Sequence, residues 1–396
     1  MRIDPLSPAF TRRDVLRHGL AAGGAVLLGT LPLEPLAAAC ADPFAGGRIA
    51  GRVPFAGAET NPPFHELIGL GLDARRYTDL SDLAPDRLVT PTARFFVRTS
   101  RPDGLQADEA WRIAIDGLVA RPLELALRDL EPLTETIGPL VLECAGNNDP
   151  RNFGLMSAAT WTGAPVLRLI ERARPLPRAT RLLVTGADEH RGPAESSLPG
   201  ASWIFSLDEL AAANALLATG MNGERLPPDH GRPVRLLVPG WYGCTAIKWV
   251  TRLTLVDDEA PATLQMKEFA ARTHQDGVPV LARDYRPAAM ELAAFPIRVE
   301  KWLVGGRLQY RVIGIVWGGR TAVDRLRIRF RVSEPFREID LCPPPSNPLM
   351  WALWSCPWRP AEPGPYDIVL KPADPSVPAR RLDMYFYARR VWIDEV

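Results

Sequence analysis

The chain is poor in the residues from which most metal and nucleotide sites are built. Its 396 residues include only five histidines and five cysteines. No two cysteines form a CxxC pair, which excludes zinc ribbons and cysteine-held iron–sulfur clusters. There is no CxxCH, so no c-type haem is attached to this chain. Neither GxxxxGK[ST] nor GxGxxG occurs, so a nucleotide gripped in the usual phosphate loop is excluded. The formal net charge is +1, which leaves no broad field of one sign to hold nucleic acid or a membrane surface.

Proline, by contrast, is abundant: 40 residues, which favours loops and turns over long helices. The length and a hydrophobic content of 46% fit two domains, because single cores stop growing at roughly 250–300 residues. Residues 1–40 read as an export signal rather than as part of the fold. TRRDVLR (Thr11–Arg17) is followed by the apolar run HGLAAGGAVLLGTLPLEPLAAA and a small-residue end near Ala37–Ala39. The paired Arg12–Arg13 with Leu16 behind them resembles a twin-arginine signal, so a periplasmic location is expected. Pro32 and Pro35 interrupt the run, so no membrane span is assigned to it. Cys40 follows at once, and simple cleavage is favoured there over lipid attachment. In an oxidising compartment, Cys342 and Cys356, which flank CPPPSNPLMWALWSC, are the most plausible disulfide pair.

Along the rest of the chain, the stretch from about 44 to 90 reads as irregular. Between 112 and 258, strands and helices mix. RIAIDGLV, PLVLECAG, ATRLLVTGAD, RPVRLLVPG and IKWVTRLTLVD read as strands, and WTGAPVLRLIERA has helical spacing. SLDELAAANALLATGMNG (Ser206–Gly223) reads as one helix, with Ser206 and Glu209 placed as a capping box. After a link at about 259–290, helical spacing disappears. FPIRVEKWL, LQYRVIGIVWGG, AVDRLRIRFRV, YDIVLK and LDMYFYARRVWI read as the short strands of an immunoglobulin-like sandwich.

In LVLECAGNN (Leu140–Asn148) a buried strand runs straight into Cys144. A free cysteine is most often a small core residue, and Cys244 reads that way. Cys144 has no nearby histidine or cysteine, so as a ligand it suits a metal whose other ligands arrive with a bound cofactor. A cradle for the phosphate of such a cofactor is visible. Arg98 ends the short strand of FFVRTSRP, and His230, Arg235 and Lys248 surround the glycine-containing turn of DHGRPVRLLVPGWYGCTAIKW. Trp161 reads as core or pocket, and His190 as a solvated loop residue.

At these segments (FFVRTS, LECAGN, WTGAPVLRLI, GADEH, ATGMNGERLPPDHGRPVRLLVPG and CTAIKWV) the chain resembles the sulfite oxidase family of molybdopterin-dependent oxidoreductases, of the bacterial, exported kind. The resemblance covers most of residues 90–340. It implies an α+β fold: a sulfite-oxidase-type molybdopterin-binding catalytic domain over 45–258, then an all-β immunoglobulin-like dimerisation domain over 259–396. It implies that Cys144 is the thiolate on molybdenum, with one pterin dithiolene beside it. Phe96, Val97, Arg98, Thr99 and Ser100 would line the pterin. Asn147, Asp188, His230 and Arg235 would hold pterin and phosphate, and Ala246, Ile247 and Lys248 would meet the phosphate end. Arg98 and Trp161 would face the reacting centre. The implied activity is oxygen-atom transfer to or from a small sulfur compound. Sulfite oxidation is the leading reaction, and sulfoxide reduction or a non-catalytic periplasmic binding role the alternatives. Electrons would pass to a separate cytochrome c or other carrier, and the protein would be a homodimer that binds no nucleic acid. The chain departs from the family pattern in four places. Asn148 and Asp149 replace two arginines after CAGN, where Arg151 is the nearest cation. Ser100 replaces a histidine, Thr245 an arginine, and Phe269 a substrate-site tyrosine.

Overall fold

The computed structural model describes residues 42–148, 153–188, 201–319, 323–341, 347–383 and 386–396. The expected export signal, Cys40, Asp149, Arg151, His190 and Cys342 lie outside these residues.

The first half of the chain carries β1 (Arg48–Val53), β2 (Arg75–Arg76), β3 (Val97–Arg98), β4 (Arg112–Gly117), β5 (Leu123–Ala126), β6 (Glu135–Glu143) and β7 (Met156–Pro165). Next come α1 (Val166–Glu171), β8 (Arg181–Gly186), β9 (Ser202–Ser206), α2 (Leu207–Ala212), β10 (Leu216–Met221), β11 (Glu224–Arg225), β12 (Arg235–Leu237), β13 (Val250–Val256) and α3 (Leu264–Glu268). The remainder is β14 (Ala293–Val304), β15 (Arg307–Trp317), β16 (Arg325–Arg329), β17 (Arg337–Asp340), β18 (Ala352–Trp358), β19 (Gly364–Pro372), α4 (Arg380–Asp383) and β20 (Arg389–Ile393).

Two five-stranded sheets make the N-terminal part. One has the order β11-β10-β7-β6, with β12 also on β10; the other runs β5-β4-β13-β8-β9. Only the β13–β4 pairing within the second sheet is parallel. The C-terminal part is strand-rich, as expected. Its two four-stranded sheets, β1-β14-β15-β18 and β17-β16-β19-β20, are antiparallel throughout. Aromatic side chains fill the space between them. Phe330 stacks on Trp358 at 4.2 Å, and Tyr366 meets the same ring edge-on at 4.9 Å. At Gly314 a β-carbon would overlap the Trp354 ring and the Phe295 carbonyl, so the close passage of β15 over these groups requires glycine.

The described residues form one compact unit; one hydrophobic cluster runs from the N-terminal sheets into the C-terminal pair, and a second packs around Phe95, Leu142 and Trp161. Phe153 packs edge-on against Phe295 at 5.0 Å across that passage.

Several elements differ from the sequence reading, each for a physical reason. Residues 48–53 are not irregular, because β14 recruits them as an edge strand. The helix begun at Ser206 has its full capping box but ends at Ala212. Asn214 takes a left-handed φ of 49°, and the apolar run beyond it becomes β10, buried between β7 and β12. A short run with both faces buried has no period that separates helix from strand. Trp161–Pro165 likewise belong to β7, and the helix begins only at Val166. The proline-rich stretch before Trp358 contains β18, and 382–393 begins in the short helix α4. Among the described residues Cys356 is a free, buried thiol that accepts a hydrogen bond from Arg337 Nη2 at 3.2 Å, and its expected partner Cys342 lies outside them. Among the described residues no helix is long and apolar enough to cross a membrane.

Candidate molybdenum-cofactor site

Strand β6 delivers Cys144 to a turn fixed by the main chain. The Cys144 amide donates to Leu155 O at 3.0 Å, and the Asn147 amide donates to Cys144 O at 2.9 Å. The Gly146 amide donates to the Cys144 sulfur at 3.3 Å. The sulfur enters a cleft of about 890 Å3, counting its open mouth, which is within the usual size of a small-molecule site.

The opposite wall comes from β3 and the residues around it. Phe95 and Phe96 stack at 5.3 Å, and Phe95 meets His230 edge-on at 5.3 Å. Thr99 has a φ of 81°, a left-handed geometry costly for a β-branched residue, and Trp249 has one of 52°. Lys248 holds this strained wall in place. Its ammonium donates to the carbonyls of Arg98 (3.2 Å), Thr99 and Asp229 (2.8 Å), and it lies 4.6 Å over the Trp249 ring. All three N–H bonds are thereby taken. Lys248 lines the cleft and braces three segments through these bonds. Burial, helped by Arg235, lowers its pKa to about 7.

The cradle is completed by the turn at Gly231. Its φ of 106° and the close approach of the Arg235 and Lys248 side chains (2.9 and 3.2 Å from a would-be β-carbon) both call for glycine. Arg235 is buried and donates to His230 O and Ala246 O, each at 3.1 Å. Its Nε, and Nε2 of the equally buried His230, make no hydrogen bond among the described residues. Buried donors without partners are costly, so these two atoms mark a place where a polar group belongs. A phosphate-bearing ligand fits them in charge and in chemistry. Among the described residues no three His, Cys, Asp or Glu side chains cluster as a metal site, so a metal at Cys144 would take its remaining ligands from a bound group.

Eleven of the residues singled out in the sequence line this one cleft: Phe96, Val97, Arg98, Thr99, Cys144, Asp188, His230, Arg235, Ala246, Ile247 and Lys248. Three do not. Ser100 accepts from the Gly71 amide at 2.9 Å and so fixes the turn that carries Leu72. Asn147 clamps the cysteine turn, donating to Glu143 Oε1 at 3.2 Å and accepting from the Leu155 amide at 3.1 Å. Trp161 is fully buried behind the cleft, with the Arg235 guanidinium 5.3 Å over its ring, so it supports Arg235 and does not face the sulfur. The Thr245 hydroxyl donates to Tyr242 O at 2.9 Å and takes no part in the cradle. Phe269 does line the cleft, and so does Cys244, which is at the same time part of the buried core, as read. Sequence reasoning missed Leu72, Glu268 and two neighbouring arginines, Arg75 and Arg272, because no motif surrounds them.

The electrostatics carry a pH signature. Burial drives His230 well below the usual imidazole range, and Lys248, Arg235 and Arg76 push the same way. Below about pH 6.5 the unfolded chain takes up a proton that the buried ring refuses. The native state therefore loses stability as pH falls, by about 1.4 kcal/mol per unit from this group. Urea titrations of the cofactor-free chain between about pH 5 and 7 should show that slope, flattened in His230→Asn. An acid limb identical in the variant would place the proton uptake elsewhere.

A family model described as the oxidoreductase molybdopterin binding domain matches residues 100–264. The chain is 31% identical over 367 residues to a sulfite oxidase of Gallus gallus, across 82% of this chain and 74% of that protein. It is 34% identical over 194 residues to an NADPH nitrate reductase of Aspergillus niger, across 45% of this chain but only 22% of that longer protein. In fold it is similar to the sulfane dehydrogenase SoxCD of Paracoccus pantotrophus, with a TM-score of 0.60 at 18% identity over 87% of this chain and 89% of the other.

Proposed function

The chain belongs to the sulfite oxidase family of molybdenum-dependent oxidoreductases, and we propose that it is an exported enzyme that oxidises sulfite or a closely related small sulfur oxyanion. The observation that carries this reading is the convergence of Cys144, Arg98, His230 and Arg235 on one cleft whose buried His230 Nε2 and Arg235 Nε lack partners.

Each of these side chains would have a separate task. Cys144 would give its thiolate to molybdenum, while His230 and Arg235 would hold the pterin and its phosphate. Bound there, the cofactor supplies a metal that changes by two electrons as an oxygen atom is exchanged with substrate. Arg98 would orient the anion and stabilise negative charge as it develops. Phe96 and Phe269 would narrow the cleft and limit water. Electrons would leave singly to a separate cytochrome c or other carrier. The twin-arginine-like segment supports a periplasmic location, and the family resemblance supports a homodimer formed through the C-terminal sandwich.

The test is metal analysis joined to turnover. The mature chain, purified from a host that makes the pterin, should contain about one molybdenum per chain and reduce cytochrome c when given sulfite. A molybdenum-loaded chain that ignores sulfite but reduces methionine sulfoxide would reverse the proposed direction. A folded chain without molybdenum would overturn the cofactor assignment.

A further inference from the structure

A second cavity lies where the N-terminal segment meets the sandwich, and it shares no lining residue with the cysteine cleft. It measures about 790 Å3, counting its mouth, which is again the size of a small-molecule site. All its walls lie outside the stretch 100–264 that matches the family model. The end of β1 and residues 54–64 form one wall, Asp79–Ser81 another, and β14 with β20 the third. These walls are tied to one another. The Ala56 amide donates to Arg390 O at 2.8 Å and Phe55 bridges to Val391, which pins the loop after β1 to β20. Arg298 on β14 donates to Ser81 O at 3.1 Å, Leu83 O at 2.6 Å and Glu300 Oε1 at 2.9 Å, which pins the second wall to β14.

Three features say what such a cavity would take. Phe55, Phe64, Phe295, Leu80 and Ile297 give it a broad apolar lining. Arg389 also lines it, although this residue is only 7% exposed, and its guanidinium lies 4.0 Å over the Phe55 ring and 4.9 Å over that of Phe295. A guanidinium stacked on rings presents its N–H groups at the edge, in the plane where a carboxylate meets it. Arg52 adds an exposed positive charge at the mouth, while the cavity's one carboxylate among the described residues, Asp79, already accepts from the Ser81 amide at 2.9 Å. The third feature is Asn61, whose Oδ1 is buried with no hydrogen-bond partner among the described residues. Its backbone is extended (φ −60°, ψ 141°) and Pro62 follows, so its position is set before any ligand arrives. A buried acceptor left unpaired is costly, so this atom calls for a donor.

We propose that this cavity is a second binding site, for a small aromatic carboxylate that carries a hydroxyl group. Arg389 and Arg52 would hold the carboxylate, the three phenylalanines the ring, and Asn61 Oδ1 the hydroxyl. An inorganic anion would leave the phenylalanine rings uncovered, and a cation would meet two guanidinium groups. The site stands apart from the molybdenum-enzyme reading and does not depend on it.

Calorimetric titration of 4-hydroxybenzoate into the full mature chain tests the proposal, with benzoate and benzamidine as comparisons. The unaltered chain should bind 4-hydroxybenzoate at one site. Benzoate, which lacks the hydroxyl, should bind about 10-fold more weakly, and benzamidine, with a cationic head on the same ring, should not bind. Arg389→Met should weaken 4-hydroxybenzoate about 10- to 100-fold. Asn61→Leu should weaken it about 10-fold and abolish the difference between 4-hydroxybenzoate and benzoate. If Arg389→Met does not fold, the Asn61→Leu comparison carries the test. Because the ligand would touch three separate walls of the folded chain only, saturation should also raise the urea midpoint of the unaltered protein. Excess sulfite should not displace it. No binding by the unaltered chain, binding of benzamidine as tight as that of 4-hydroxybenzoate, displacement by sulfite, or unchanged affinities in the folded variants would each overturn the proposal.

Discussion

Replacing Cys144 with serine is expected to leave the fold and the cofactor cradle in place and to cut sulfite turnover by about 1,000-fold or more, equivalent to about 4 kcal/mol of transition-state stabilisation. The structure explains why the fold should survive. Cys144 is buried but small, and the Gly146 amide that donates to its sulfur at 3.3 Å can donate as well to a serine oxygen. The His230 and Arg235 side chains that would hold the pterin come from a different segment and lose nothing. The chemistry explains why turnover should fail. A thiolate is a soft ligand that forms near neutral pH, whereas a serine hydroxyl is hard and stays protonated. Molybdenum per chain, steady-state turnover and the urea midpoint, measured on one preparation, separate these effects. Full activity in Cys144→Ser would return Cys144 to being a core thiol. Loss of molybdenum with an unchanged midpoint would show that the sulfur also retains the cofactor.

That the cradle was legible in the sequence, and the arginines near it from other segments were not, has a physical basis. His230, Arg235 and Lys248 fall within nineteen residues of one another around a glycine turn, so their spacing alone suggested a phosphate site. Cys144 was legible because a polar, reactive side chain ended an apolar strand. Arg75 and Arg272 are almost two hundred residues apart, and each looks locally like an ordinary surface cation. Only the pairing of β2 with β3 sets Arg75 opposite the cleft-lining Arg98, and only the path of the segment after α3 brings Arg272 close to Gly146 and Cys144. The errors in the fold are of one kind as well. Leu216–Met221 and Trp161–Pro165 are largely buried on both faces, and propensity cannot choose between helix and strand until neighbouring strands supply hydrogen bonds. Lys248 shows a third limit. Its residue type suggested a phosphate partner, and nothing in the sequence showed that the same ammonium also donates to three backbone carbonyls.

Removing Arg381 should destabilise the chain by about 3–5 kcal/mol, because it would strand a buried carboxylate next to Cys144. Glu143, the residue before Cys144, is fully buried. Its Oε1 accepts from Arg381 Nη1 at 3.1 Å and from Asn147 at 3.2 Å, while Oε2 accepts from Trp317 Nε1 at 2.9 Å. Arg381 Nη1 also donates to the Tyr387 hydroxyl at 2.6 Å, and its guanidinium lies 5.1 Å over the Tyr242 ring. Burial alone would lower the Arg381 pKa, yet Glu143 and the two tyrosines raise it overall. Trp317 ends β15 and Arg381 belongs to α4, so this network ties the cysteine strand to the C-terminal part of the fold. Urea unfolding of Arg381→Met, Glu143→Gln and the double variant gives the coupling directly. Arg381→Met alone should show the full loss. The double variant should recover most of it, since replacing a buried pair by neutral groups of similar size is often near neutral. A loss below about 1 kcal/mol in Arg381→Met would mean that Asn147 and Trp317 suffice for the carboxylate. The C-terminal strands would then support the cysteine turn through packing alone, and molybdenum content should be indifferent to the variant. With the larger loss, molybdenum retention should fall in step with stability, because the turn that presents Cys144 begins at the residue Arg381 holds.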